Sequence, residues 1–540
     1  MTKNSDSVSP GNEATEVEAL IIGAGFAGMY SLIRCRQMGF SALAIDAASD
    51  VGGTWFWNRY PGARCDIRSI DYSYSFDPEL EQEWEWSEKY ATQPEILAYA
   101  NHVADRYDLR RDIRFSTRAT QLQWQDDVWH VQTDSGETIR AQFVIMAVGA
   151  LSQAKNPEVE GAETFNGTIV HTGHWPASGV DVRGKRVAVI GTGSSGVQAI
   201  PLLAQEAAEL IVFQRTPNYV VPAQNRQLDA DEVAEIKASY RQHRHAQRYS
   251  HGGVISPQPT QSLWEASDDE RQEKFDAAWN EGMLFSFLGS YTDVMIDETA
   301  NEVVAEYLRN RIRSIVKDQD VAEKLCPRSY PLGTKRLCLG TNYYETYNRD
   351  NVSLVDLRAT PIERIVDAGI QTSAQTYDVD VIVFATGFDA MTGPLLGPII
   401  TGVSQKLSEA WEAGPQTFMG IAAHDFPNMF MITAPQSPSV LTNMMVSIEQ
   451  HVEWATDLMA WMRAKNFRVF NPQLEPQTEW VSLVNMISDF TLYPKGNSWY
   501  LGANVPGKPR IFMPYLGGVG PYREQCDEIA NDNYRGIDFS

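Results

Sequence analysis

The sequence predicts an α/β fold of two parallel-sheet units, each shaped to hold a dinucleotide, with a helical insertion in the second unit. Two observations carry this prediction. The glycine-rich turns Gly23-Ala-Gly-Phe-Ala-Gly28 and Gly191-Thr-Gly-Ser-Ser-Gly196 share the G-x-G-x-x-G spacing, and each follows an apolar strand and opens a helical pattern. Each is also completed by a further strand: Ala42-Leu43-Ala44-Ile45, ending on Asp46, and Leu210-Ile211-Val212-Phe213, ending on Gln214-Arg215-Thr216.

The physics of the two turns is shared. The first glycine permits the tight turn, the second lets the backbone approach a pyrophosphate, and the third lets helix and strand pack closely with the helix N-terminus facing the anion. An acid about 20 residues past the turn accepts ribose hydroxyls, which assigns Asp46 to an adenosine ribose. Arginine at the matching place in the second unit suits a 2′-phosphate, so that site reads as NADP. This is a Rossmann-like arrangement, duplicated. A chain holding two dinucleotides passes electrons between them.

At 540 residues the chain exceeds one ordinary core. The interleaving expected is a polar, disordered tail at 1–16, a first dinucleotide unit at 17–151 and 388–540, a second at 152–224 and 334–387, and a helical insertion at 225–333. The strand Phe143-Val144-Ile145-Met146-Ala147, running to Gly149, ends the first piece. The similar strand Val381-Ile382-Val383-Phe384, running to Gly387, closes the second, after which amphipathic helices such as 448–462 complete the first unit. Helical periodicity at 231–236 and 303–308 marks the insertion, and 251–259 reads as a loop within it.

A net charge of −24 argues against a nucleic-acid partner, whose phosphates need clustered Lys and Arg. It also means that two polyanionic cofactors must be held by local donors. The sequence shows no apolar run of membrane length and no signal-peptide h-region, so a cytoplasmic protein without a membrane partner is expected, monomeric or weakly self-associating. Five cysteines without a C-x-x-C pair argue against a disulfide framework, a zinc site and a dithiol redox centre, and no metal is expected.

Two further motifs narrow the chemistry. Phe165 to Pro176 fits F-x-G-x-x-x-H-x-x-x-W-P through Gly167, His171 and Trp175, and Gly53 to Asp66 fits G-x-W-x-x-x-x-[FY]-P-G-x-x-x-D. With Gly333-Thr334-Lys335-Arg336, the 343–352 segment and Ser498-Trp499-Tyr500-Leu501-Gly502-Ala503-Asn504, the chain resembles type I Baeyer–Villiger monooxygenases over nearly its whole length, in look nearest the phenylacetone and steroid branch. The resemblance implies NADPH reducing FAD, O2 adding at the flavin C4a carbon, and the resulting peroxide inserting one oxygen into a ketone to give an ester or lactone. Sulfide oxidation is implied as a side activity. The ketone is the expected small-molecule partner.

By motif position the resemblance implies Arg336 as the cation beside the peroxide and developing alkoxide, an electrostatic role of the oxyanion-hole kind, held by Asp66. Gly23, Gly25, Ala27, Gly28, Asp46, Thr54, Trp55, Asp66, Tyr72 and Ala119 are assigned to the flavin side, Ala119 near the adenine, and Arg64 and Met444 to cofactor binding. The loop 437–441 and Met444 also shape the ketone pocket. Thr192, Gly193, Ser194, Ser195, Gly196 and Gln198 are assigned to the NADP pyrophosphate or nicotinamide, Arg215, Thr216 and Lys335 to the 2′-phosphate, and Trp499 to a ribose. His171 and Trp175 are read as a hinge between units rather than as acid-base groups.

The runner-up is an N-hydroxylating flavin monooxygenase, which shares both turns; the Lys335-Arg336 pair and the linker pattern favour the ketone enzyme. A disulfide reductase lacks its C-x-x-C here, and a nucleotide-sensing redox protein would have no need of Arg336 or Asp66.

Overall fold

A computed structural model describes residues 15–155 and 159–540. Among the described residues, apolar runs form two large sheets beside three small ones, and the chain visits the first large sheet, then the second, then the first again. The first sheet runs in the order Ile399–Thr401, Ala119–Gln125, Val128–Thr133, Thr138–Met146, Thr15–Ile22, Ala42–Ile45, Ile113–Arg114, and Met429–Met431 also pairs with Thr138–Met146. Its centre is parallel: Leu20 sits opposite both Leu43 and Val144, and all three strands are apolar because helices and strands cover both faces. Strand Thr15–Ile22 begins inside the segment expected to be a disordered tail, with Thr15 paired to Ile139 and Glu16 to Arg140. The rest of that tail, residues 1–14, lies outside the described residues.

The second sheet is wholly parallel, in the order Val352–Asp356, Glu209–Gln214, Arg186–Ile190, Val381–Phe384, Thr168–His171. Val187, Val189, Leu210, Val381 and Val383 are fully buried there. The two glycine turns are near copies. Gly23 N donates to Ile45 O at 2.8 Å and Gly191 N to Phe213 O at 3.0 Å, so each turn is hung on the end of the following strand.

The expected insertion does not belong to one unit. Its helix Ala230–Arg248, capped by Asp229, turns its polar face to segment 71–85 of the first unit: His243 Nε2 meets Asp71 at 2.5 Å, and Arg244 donates to Glu81 and Ser73, each at 2.6 Å. Helices Glu298–Ile315 and Gln319–Leu325 instead bury Ile312, Ala322 and Leu325 against the core of the second sheet. Pairing over such sequence distances is invisible to local periodicity.

Helix Met444–Lys465 also differs from expectation. It is buried around most of its circumference, Glu449, Gln450 and His451 included, because the helix Phe26–Gln37, segment 73–76 and the helix Val519–Asn531 surround it. Two of these buried polar groups are satisfied by neighbouring segments: Glu449 accepts from Ser75 N at 2.6 Å and Phe76 N at 3.1 Å, and His451 accepts from Thr433 N at 3.0 Å, whereas Gln450 Oε1 has no partner among the described residues. No described helix is long and apolar enough to cross a membrane.

Candidate functional site

The glycines of the two turns are not interchangeable. A Cβ on Gly23 or Gly191, both at positive φ (115° and 111°), would collide with the carbonyl of Ala147 or Ala385, and one on Gly28 or Gly196 would collide with the carbonyl of its own turn's first glycine. Gly193 faces open space, as do Gly149 and Gly387 at the ends of the neighbouring strands. The first and third glycines are therefore needed by the fold. The second, where Gly193 leaves room above a helix N-terminus and Gly25 lies in van der Waals range of the Gly53 backbone, forms a cradle that fits a pyrophosphate.

On the first unit, Ala27 lies buried in the opening turn of the helix Phe26–Gln37. Asp46 is more occupied than expected: its carboxylate accepts from Ala24 N at 2.5 Å and Ala48 N at 2.7 Å. It pins the glycine turn and keeps free lone pairs for a ribose. Burial raises its pKa, against those two backbone hydrogen bonds and Arg118. Thr117 N donates to Asp46 O at 2.9 Å, which carries Ala119 close to the same strand end. Trp55 Nε1 donates to Tyr72 OH at 3.3 Å, their rings edge to face, with exposed Thr54 beginning the short helix Thr54–Trp57. Asn443 Nδ2 donates to Asp71 O at 2.6 Å, bringing Met444 toward Tyr72.

On the second unit, Thr192 Oγ1 donates to Thr216 O at 3.2 Å, joining the glycine turn to the arginine-bearing strand end. Ser194 and Ser195 open the helix Ser194–Glu206, and Ser194 Oγ lies 3.4 Å from Cys338 Sγ. Arg215 is exposed. Lys335 stacks over Tyr330 at 5.3 Å and donates to Asn497 O, in the loop that carries Trp499. Burial, with Arg215 nearby, pulls the Lys335 ammonium down to about 8. Lys155, which the sequence reading missed, is pulled down in the same way by burial and Arg215, and it donates to Asn504 O in that loop. Two lysines, each lowered by burial and by the nearby Arg215, make a cluster of positive charge at the strand end that suits an anion.

Between the units stands the pair Arg336 and Asp66. Arg336 donates to Asp66 Oδ2 from Nη2 at 3.3 Å and Nε at 3.4 Å, and from Nη1 to Val440 O at 3.1 Å. Burial opposes the guanidinium charge, but Asp66, with Tyr500 and Cys338, outweighs it and raises the pKa. Burial also raises the pKa of Asp66, with Arg336 opposing. Val440 belongs to an apolar cluster with Met391, Tyr493, Tyr500 and Phe512, against which Leu441, Met444 and Trp499 pack. Arg64 lies at the same junction. Its guanidinium is ion-paired with Glu88 at 3.2 Å, and its backbone, not its charge, meets the second unit at Gln198.

The hinge reading of His171 has a geometric basis. Nδ1 accepts from Gly173 N at 2.9 Å, so the proton is on Nε2, which faces Thr386 Oγ1 at 3.2 Å. Burial, then His174, lowers its pKa to about 4.

Two phosphate cradles flanking one half-buried guanidinium define a flavin- and pyridine-nucleotide-dependent oxidoreductase. A family model described as pyridine nucleotide-disulphide oxidoreductase matches residues 20–270. A Baeyer–Villiger monooxygenase of Pseudooceanicola batsensis is 41% identical over 97% of this chain and 96% of its own, and the phenazine N-monooxygenase PhzNO1 of Lysobacter antibioticus is 39% identical over 97% of each. A solved steroid monooxygenase, oxidised and bound to NADP, superposes with a TM-score of 0.94 at 48% identity, covering 97% of this chain and 99% of that one. The chain belongs to the Baeyer–Villiger monooxygenase family, and its cofactors are FAD and NADPH.

Proposed function

We propose that this enzyme converts an uncharged, apolar ketone, O2, NADPH and a proton into an ester or lactone, water and NADP+, at the face where Arg336 meets the Val440 cluster. The observation that carries this is one guanidinium, held by Asp66 and Val440 O, set against a wall of Met, Tyr and Phe side chains. Such a wall binds an apolar ketone by burial and lowers the local dielectric, which strengthens the charge of Arg336. Bound FAD supplies the two-electron activation of oxygen, with NADPH as reductant.

The chain's own residues then have distinct tasks. Arg336 stabilises negative charge on oxygen as it develops, and Asp66 aims it. The turn at Gly23, with Asp46, Thr54, Trp55 and Tyr72, holds the flavin nucleotide, while the turn at Gly191, with Arg215, Thr216 and Lys335, holds NADPH through its 2′-phosphate. His171, neutral and fixed between Gly173 and Thr386, locks the linker between units. The division into units at 17–151 with 388–540, and 152–224 with 334–387, is supported by the membership of the two sheets. Five free, buried cysteines are in keeping with a cytoplasmic setting.

Oxidation of sulfides accompanies the ketone reaction, since the same activated oxygen also accepts a sulfur lone pair. A second reading, N-oxygenation of a heteroaromatic amine, is favoured by the likeness to a phenazine N-monooxygenase. Aerobic incubation with NADPH and matched ketone, sulfide and phenazine substrates, with products identified by mass spectrometry, separates them: ester as main product supports the ketone reading, and N-oxide alone replaces it.

A further inference from the structure

Every polar atom of the Gln198 side chain is engaged by the loop that carries Asp66. Its Oε1 accepts from Tyr60 OH at 2.8 Å and Arg64 N at 3.4 Å. Its Nε2 donates to Arg64 O at 3.1 Å and Asp66 Oδ1 at 3.4 Å. The amide satisfies both backbone groups of Arg64 as a neighbouring strand would. One turn of the loop is pressed on the helix as well, because a Cβ at Gly62 would collide with the Gln198 carbonyl. Asp66 is thus gripped from two sides, Oδ1 by Gln198 and Oδ2 by Arg336.

We propose that Gln198 is a positioning residue for oxygen insertion, which orients the Asp66 carboxylate, and through it Arg336, while latching the helix Ser194–Glu206 of the second unit to the flavin-side loop. This rests on the reading of Arg336 and Asp66 as the anion-stabilising pair. It replaces the expected contact of the Gln198 side chain with the NADP pyrophosphate or nicotinamide, since no donor or acceptor of the amide is left unengaged. A donor on Oδ1 favours the ionised carboxylate, which is the form that holds a guanidinium. Burial pushes Asp66 the other way, so losing that donor weakens the hold on Arg336.

The test uses holoenzyme carrying Gln198→Ala and Gln198→Glu. Gln198→Ala is expected to lower ester formed per NADPH consumed about tenfold, one hydrogen bond to a charged group, with hydrogen peroxide rising in its place. The KM for NADPH stays within about twofold of wild type, a range well short of a lost cofactor contact. A raised KM with intact coupling would make Gln198 a cofactor contact and overturn the proposal. Gln198→Glu keeps the shape, should the smaller side chain loosen the fold. It still accepts from Tyr60 and Arg64, but it donates to Asp66 only when protonated, so its ester yield should recover as pH falls. A pH profile parallel to wild type contradicts the proposal. A readout independent of activity is the thermal-unfolding midpoint of Gln198→Ala, Asp66→Ala and the double variant. Coupled residues give losses that fail to add, and additive losses overturn the latch whatever the activity. If wild type forms no ester from any ketone, the functional reading fails while this coupling stays measurable.

Discussion

Asp66→Ala should uncouple NADPH oxidation from ester formation. The nearest Arg336 and Asp66 atoms are 3.3 Å apart, where two unit charges at an effective dielectric of about 20 attract by about 5 kcal/mol. Much of that is spent against desolvation, because the side chains are only 25% and 9% exposed. What the substitution removes is the orientation of a charged donor, held by two long hydrogen bonds, an effect at the lower end of about 1.5–3 kcal/mol. At about 1.4 kcal/mol per decade, ester formation should fall ten- to thirtyfold. Arg336→Ala, which removes the cation itself, should cost about 100- to 1,000-fold, as loss of an oxyanion-hole donor does. Flavin reduction by NADPH should change far less in either variant. Stopped-flow absorbance gives the reduction rate, and gas chromatography the ester per NADPH. Coupled ester formation within twofold of wild type in Arg336→Ala would refute the assignment of the guanidinium to oxygen insertion.

The two second-unit glycines should separate binding from folding. Gly193→Ala, whose added methyl enters open space, should weaken NADP+ binding in calorimetry with little loss of melting temperature, whereas Gly191→Ala, strained at φ 111° and driven into Ala385 O, should cost about 2 kcal/mol or more of stability. Lys335 is charged below about pH 8, so NADP+ affinity should fall as pH rises through that value, and Lys335→Ala should remove this dependence while narrowing the preference for NADPH over NADH. His171 and His451 both have depressed pKa values, about 4 and about 3, because burial favours the neutral ring. Their contribution to stability is complete above the unfolded value of about 6.5 and is lost as pH falls toward 4 and below. A melting curve measured from pH 8 to 4 should fall across that window, and His171→Gln should flatten its upper part.

Features encoded locally were legible in the sequence. The glycine turns announce themselves because a positive φ and a collision with a neighbouring carbonyl admit no side chain at Gly23 or Gly191, and the alternation of apolar strands with helices is a short-range pattern. The approach of Arg336 to Asp66, 270 residues apart, was reached through motif resemblance rather than through spacing. Contacts made only by tertiary packing were not legible. No periodicity shows that the helix Ala230–Arg248 lies on segment 71–85, that Lys155 joins the cations at the end of the second sheet, or that the Gln198 amide turns toward Arg64 and Asp66. Asp46 illustrates a partial reading. Its position and residue type were informative, but its grip on Ala24 N and Ala48 N depends on how the turn folds back.

Turnover of the purified enzyme under ¹⁸O2 with NADPH and a panel of aryl, cyclic and steroid ketones tests the central claim most directly. The predicted result is one labelled oxygen in an ester or lactone, with NADPH consumed in step with product. Hydrogen peroxide alone across the panel, or label found only in an N-oxide or sulfoxide, would contradict it.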